Sequence, residues 1–136
     1  MSEPASPGEP VFLTLDEVLQ IHTHQIESFG GSSSIRDLGL LESAIAQPRQ
    51  RYGGRWLHPD LAAMAAAYLF HITRNHAFVD GNKRTGTQAA SLFLRMNGFD
   101  VDYPLRETEK LVLAVAEGSA SKDQVIKFFR KLLAGD

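Results

Sequence analysis

Between Leu61 and Ile72 the chain is apolar almost without a break, so a helix over Pro59 to about Arg74 would be apolar nearly all round. Such a helix has no solvent face and must sit at the centre, with the rest of the fold packed around it. It is too short to cross a bilayer, which takes about 20 apolar residues, and it ends in His71 and Arg74. Pro59 suits its first turn. The other segments read as satellites. Thr14-Leu15-Asp16-Glu17 is a capping box opening an amphipathic helix that carries Leu15, Val18, Leu19, Ile21 and Ile26 to about Ser28. Asp37 caps a second helix with Leu38, Leu41, Ala44 and Ile45, stopped before Pro48. A third, over Asn82 to Asn97, places Ala89, Leu92, Phe93 and Met96 at spacings of three and four, with Gly98 as its C′ residue. Glu107 to Glu117 is helical and ends at Gly118. A second capping box, Ser121-Lys122-Asp123-Gln124, opens the last helix, with Val125, Phe128, Phe129 and Leu132.

Phe29 to Ser34, with paired glycines and three serines, predicts a mobile loop or hairpin, and Arg49 to His58 a loop around Gly53-Gly54. Phe99 to Pro104 is extended or turn-like. There is no internal repeat and no long strand. The expected fold is all-α, a bundle of about six helices with at most one short hairpin.

At 136 residues and 43% apolar content the chain suits one domain, residues 11–136. Residues 1–10, with three prolines, a glycine and two acids, read as a disordered tail and not as a signal peptide. A net charge of −2 gives no global attraction to nucleic acid or an anionic membrane, so neither is expected as a partner. The absence of cysteine rules out a disulfide scaffold or thiolate metal site and fits a cytoplasmic location.

The chemistry is concentrated in His76-Ala77-Phe78-Val79-Asp80-Gly81-Asn82-Lys83-Arg84-Thr85. A helix starting near Asn82 offers free amides and the positive end of a dipole, both favourable to phosphate. Gly81 lets backbone approach a ligand. Lys83 adds a point charge and Arg84 a bidentate fork. Asp80 can hold Mg²⁺ bridging phosphate oxygens. His76, through its imidazole, can accept a hydroxyl proton. Phe78 is expected in the core, locking the loop. Phosphoryl or nucleotidyl transfer needs this kind of preorganisation. A plain capped helix start would explain Asp80 and Gly81 but not a base, a carboxylate and two cations in one turn.

Other constellations are weaker. Gly81 to Gly86 has Walker A glycine spacing, but Thr87 stands where the lysine belongs and no strand precedes it. His71 and His76 diverge on a helix, and no HExxH zinc pattern exists. His22 and His24 are expected at the surface, and His58 as a loop or capping residue. Tyr52 and Trp56 are expected to pack their loop onto the core.

His76 to Arg84 resembles the Fic/Doc signature HxFx(D/E)(G/A)Nx(R/K). The resemblance runs from about Leu15 to Leu133 and includes Ile21-His22, Phe29-Gly30-Gly31, Ile35-Arg36-Asp37, Gly39 to Ile45 and Leu92 to Gly98, which look like the short Doc branch of toxins. It implies an all-α core with the motif between two central helices. His76 would be the base and Asp80 the Mg²⁺ ligand. Gly81, Asn82 and Lys83 would form the anion loop, Arg84 would contact phosphate, and Arg74 would join the site. Gly30, Gly31, Ser32, Ser33, Ser34, Ile35 and Arg36 would form a flap aligning a target peptide as an added strand.

The AMP-transferring Fic pattern reads GNGRxxR, whereas here Lys83 and Thr87 replace its third small residue and second arginine. The resemblance therefore implies an ATP-dependent protein kinase acting on a Ser or Thr hydroxyl, elongation factor Tu in the Doc case, with translation blocked and a small antitoxin protein as partner. Gly81 stands where Doc has alanine and Gln88 where it has asparagine. Nucleotidyl transfer therefore stays open beside phosphoryl transfer, and a non-catalytic peptide-binding module is a third reading. Thr23 to Ser28 comes close to the self-inhibiting (S/T)xxxE(G/N) helix of Fic proteins but ends in Ser28.

Overall fold

The computed structural model describes residues 9–135; residues 1–8, most of the expected tail, lie outside them. Its axis is α3 (Leu61–Asn75), ten of whose fifteen residues are buried, as all-round apolarity demands. Helices α2 (Leu38–Ala46), α4 (Asn82–Met96), α5 (Leu105–Glu117) and α6 (Lys122–Leu133) pack on it, and α1 (Leu15–Phe29) lies against α4. The fold is the expected bundle of six helices. Among the described residues no helix is long and apolar enough to cross a membrane.

Both capping boxes form, at Thr14/Glu17 and Ser121/Gln124. Helix α3 starts at Leu61, not at Pro59, because the Asp60 side chain accepts the Ala63 amide at 2.8 Å and so takes the N-cap. Helix α2 stops at Ala46, before Pro48, as expected. A 3-10 turn, Gln47–Arg49, follows α2 with Pro48 in its first positions, where the missing N–H costs nothing. Helix α5 begins two residues before Glu107, as the Thr108 hydroxyl donates to the Pro104 carbonyl at 2.6 Å.

The one hairpin among the described residues lies elsewhere than in the glycine-serine segment. Strands β1 (Arg51–Tyr52) and β2 (Arg55–Trp56) pair across Gly53 and Gly54, both at positive φ as a tight hairpin turn requires. Trp56 packs on Phe12 at 5.3 Å, whereas Tyr52 is 85% exposed and contributes nothing to the core.

Helices α3 and α4 approach each other at Gly86. A Cβ there would lie 2.7 Å from the Thr73 hydroxyl and 3.1 Å from the Leu69 carbonyl. This close seam brings the end of α3 and the start of α4 together around the loop at residues 76–81.

Candidate active site

At the end of α3, His76 takes a left-handed conformation (φ 48°), alone among the described non-glycine residues in having a positive φ. That breaks the helix and leaves the side chain exposed. The strain is held from outside. Arg36 donates to the His76 carbonyl at 2.7 Å and to the Asn75 carbonyl at 3.2 Å, while the Asn75 amide reaches the Leu40 carbonyl at 2.9 Å.

Phe78 is buried at 1% exposure, as its place in the motif predicts. The Asn82 side chain accepts from the Phe78 amide at 3.0 Å and donates to its carbonyl at 2.9 Å. Asn82 thus works here as a staple of the loop. Gly81 (φ 82°) is the N-cap of α4, which has no side-chain cap and no acid in its first turn. The first amides of α4 therefore face outward beside exposed Lys83 and Arg84. Arg84 lies over the exposed Phe29 ring, its guanidinium carbon 4.1 Å from the ring centroid.

Asp80 is exposed, and its Oδ2 accepts the Ser32 amide at 2.7 Å, leaving the other carboxylate oxygen for a cation. Among the described residues no three His, Cys, Asp or Glu side chains converge. The residues therefore fit Mg²⁺, which is commonly held by one carboxylate with phosphate oxygens and water, better than a metal needing a full protein cage.

Residues 34–36 run antiparallel to the motif. The Arg36 amide donates to the Ala77 carbonyl at 2.7 Å, the Val79 amide to the Ser34 carbonyl at 3.1 Å, and Ile35 bridges to Phe78. By strand alternation the Ile35 N–H and C=O point away from the motif. Gly30, Gly31, Ser32, Ser33 and Ser34 lead into this edge. Arg36 was expected to help dock a target, but its guanidinium is committed to the α3 carbonyls.

Arg74 is exposed and turns toward α5, with its guanidinium 5.9 Å from the Phe70 ring and beside Gly118. Thr23 and Glu27 line a shallow groove on the outer face of α1. His22 corrects the surface expectation, as it is only 2% exposed and lies under the loop. The signal was the four-residue step Val18, His22, Ile26 on one helix face, which a comparison of His22 with His24 alone misses.

His58 lies in the loop between β2 and α3, as expected, but it is buried there, and its Nε2 meets the Lys122 ammonium at 3.1 Å, necessarily as acceptor. Burial, then the Lys122 charge, lowers the His58 pKa, and the same causes together with His58 push His71 down to about 4.

This geometry defines a helical protein with an anion-ready loop and an exposed histidine. A family model described as "Fic/DOC family" matches residues 12–94, and the chain belongs to that family. Among curated relatives, "Toxin Doc" of Mycolicibacterium smegmatis is 41% identical over 100 residues, covering 72% of this chain and 77% of the relative. "Protein kinase doc" of Escherichia phage P1 is 35% identical over 118 residues, covering 86% and 91%.

Proposed function

We propose that this protein is a Doc-like toxin that moves the γ-phosphate of ATP to a Ser or Thr hydroxyl of a protein target, with residues 11–136 acting as one catalytic domain. The observation that carries the reading is the presentation of His76, exposed and left-handed, beside the uncapped start of α4 with Lys83 and Arg84 in its first turn. The naming of the phage P1 relative as a protein kinase supports the same chemistry.

In this reading the His76 imidazole accepts the target hydroxyl proton as that oxygen bonds to the γ-phosphorus. The bond from phosphorus to the β–γ bridging oxygen breaks, and ADP leaves. The α4 amides, Lys83 and Arg84 hold the phosphates, and Arg74, which is turned toward α5, would join them only by swinging its side chain back. Mg²⁺, held by Asp80, would neutralise phosphate charge. The outward Ile35 edge takes the target segment as an added strand. We favour elongation factor Tu as the target, a separate antitoxin protein as the partner, and the cytoplasm as the location.

Gly81 would favour nucleotidyl transfer if it reported chemistry, but it has a local explanation. Its φ is 82°, and a Cβ would lie 3.2 Å from Ile26 Cδ1 and 3.4 Å from the His22 ring. Lys83 has no such explanation and weighs toward the kinase.

The test is label transfer in a bacterial lysate with Mg²⁺ and ATP labelled at the γ- or the α-phosphate. Label from γ on one dominant protein is expected, and it disappears with His76→Ala. Label from α overturns the kinase reading in favour of nucleotidyl transfer. Toxicity that survives His76→Ala would leave only the peptide-binding module.

A further inference from the structure

His22 belongs to α1, 58 positions before Asp80, and nothing in the catalytic reading uses it. Yet it touches both ends of the loop on which that reading depends. Its ring lies flat on the Phe78 ring, with centroids 3.6 Å apart and planes 7° apart. Its Nε2 is 2.8 Å from the Asp80 carbonyl oxygen. A carbonyl only accepts, so Nε2 carries the hydrogen and donates. Its edge also lies where a Cβ on Gly81 would come within 3.4 Å. The face of one buried ring therefore fixes where the loop begins, and its edge fixes where it turns left-handed into α4.

We infer that His22 is a positioning residue for the transfer reaction, orienting the Asp80 peptide so that the Asp80 carboxylate and the first amides of α4 converge on a polyphosphate with its divalent cation. The inference rests on the proposed function for its catalytic consequence, but not for its effect on the loop. The loop's internal bonds, from Asn82 to Phe78, hold its start and leave the Asp80–Gly81 turn unfastened. Among the described residues, the two hydrogen bonds on Asp80 from outside the loop are the Ser32 amide on its carboxylate, from the glycine-serine segment, and His22 on its carbonyl. Only the second comes from a packed helix, so it sets the direction in which the side chain leaves the backbone. A hydrogen bond that orients a metal-binding carboxylate commonly changes metal affinity or activity by about 10–100-fold.

Two substitutions separate the ring from the donor. His22→Phe keeps a flat ring against Phe78 and removes the hydrogen bond; His22→Gln keeps an N–H donor and removes the ring. Three quantities are read on the full chain: melting temperature, amide hydrogen exchange of residues 79–83, and γ-label transfer across a Mg²⁺ titration.

For His22→Phe the expected result is near wild-type melting, faster exchange confined to the loop, and transfer down about 10–100-fold with a higher Mg²⁺ midpoint. His22→Gln should recover exchange protection and part of the transfer despite a lower melting temperature. Wild-type exchange and an unchanged Mg²⁺ midpoint in His22→Phe would overturn the inference and leave His22 as packing. If the wild type itself transfers no label, the functional reading fails. The exchange comparison then still decides whether His22 orders the loop: faster exchange in His22→Phe upholds that ordering, and unchanged exchange overturns it.

Discussion

Acidification should loosen the seam between α3 and α6 through His71. Its Nε2 is buried and unpartnered among the described residues, and its pKa is pushed from 6.5 to about 4 by burial, then by Lys122 and His58. Between those two values the unfolded chain binds a proton that the folded chain refuses. The stability is therefore full above pH 6.5, declines as pH falls through that value, and levels off near pH 4. Full desolvation would make this worth about 3 kcal/mol. The ring keeps some solvent contact, and screening reduces the figure to about 2 kcal/mol. For a domain of this size that is a fall in Tm of roughly 6–10 °C. Urea unfolding of the wild type and of His71→Leu at pH 7.5 and pH 4.5 measures it. The carboxylates titrate in both proteins and cancel in the difference. His71→Leu should lose about 2 kcal/mol less on acidification. Equal losses in the two proteins would mean that His71 is protonated in the fold at pH 4.5, refuting the assignment of a neutral, half-buried ring. His58, lowered for the same reasons, shifts in the same direction and adds to the wild-type slope in both proteins.

Gly86→Ala should destabilise by about 1–3 kcal/mol, since its methyl meets the Thr73 hydroxyl at 2.7 Å. Thr73→Ala removes a buried hydroxyl that has no partner among the described residues, so it should be near neutral and should rescue part of the Gly86→Ala loss in a double-mutant cycle by denaturant unfolding. Phe78→Ala should cost about 3–5 kcal/mol, because the ring is 1% exposed and stacked on His22; a variant melting like the wild type would sink that placement. Arg36→Ala should lose about 1–2 kcal/mol and slow label transfer, as two carbonyls at the end of α3 lose their donor and His76 loses its brace. Asp80→Ala should raise the Mg²⁺ requirement or abolish transfer with little change in melting, because the carboxylate is exposed.

The helices were legible because their signals are local. Apolar residues recur at helical spacing, Thr14 and Ser121 begin capping boxes, and Gly98 and Gly118 follow helix ends. The motif was legible for the same reason, its chemistry lying within one turn. What escaped was decided across the chain. Arg36 looks like a free cation in a polar segment, and only the fold shows it clamping carbonyls 39 and 40 positions away. His22 looks like one of two neighbouring histidines until its four-residue step to Val18 and Ile26 is laid against the loop. His58 and Lys122 are 64 positions apart and each is ordinary alone. By sequence the glycine-serine segment is open between loop and hairpin, and the hairpin forms instead at Gly53-Gly54, where only a loop is expected. Gly30 and Gly53 carry similar local signals, and pairing is settled by what lies opposite: for residues 30–36 that is the motif itself.

This pairing constrains how the flap can act. Arg36 is fastened to Ala77 by its backbone and to Asn75 and His76 by its side chain, Ser34 is fastened to Val79, and Ser32 to the Asp80 carboxylate. A flap hung at both ends from the residues that would carry base and metal cannot swing as a free arm without moving them. On the proposed function, a target strand would add to the edge that is already exposed, at Ile35, in register with Phe78 and so with His76 two residues before it. Ordering the target and ordering the base would then be one event. A one-residue slip of this register would turn the Ile35 N–H and C=O inward. It should abolish transfer to protein while leaving nucleotide binding at the start of α4 intact, a separation that calorimetry beside label transfer can read.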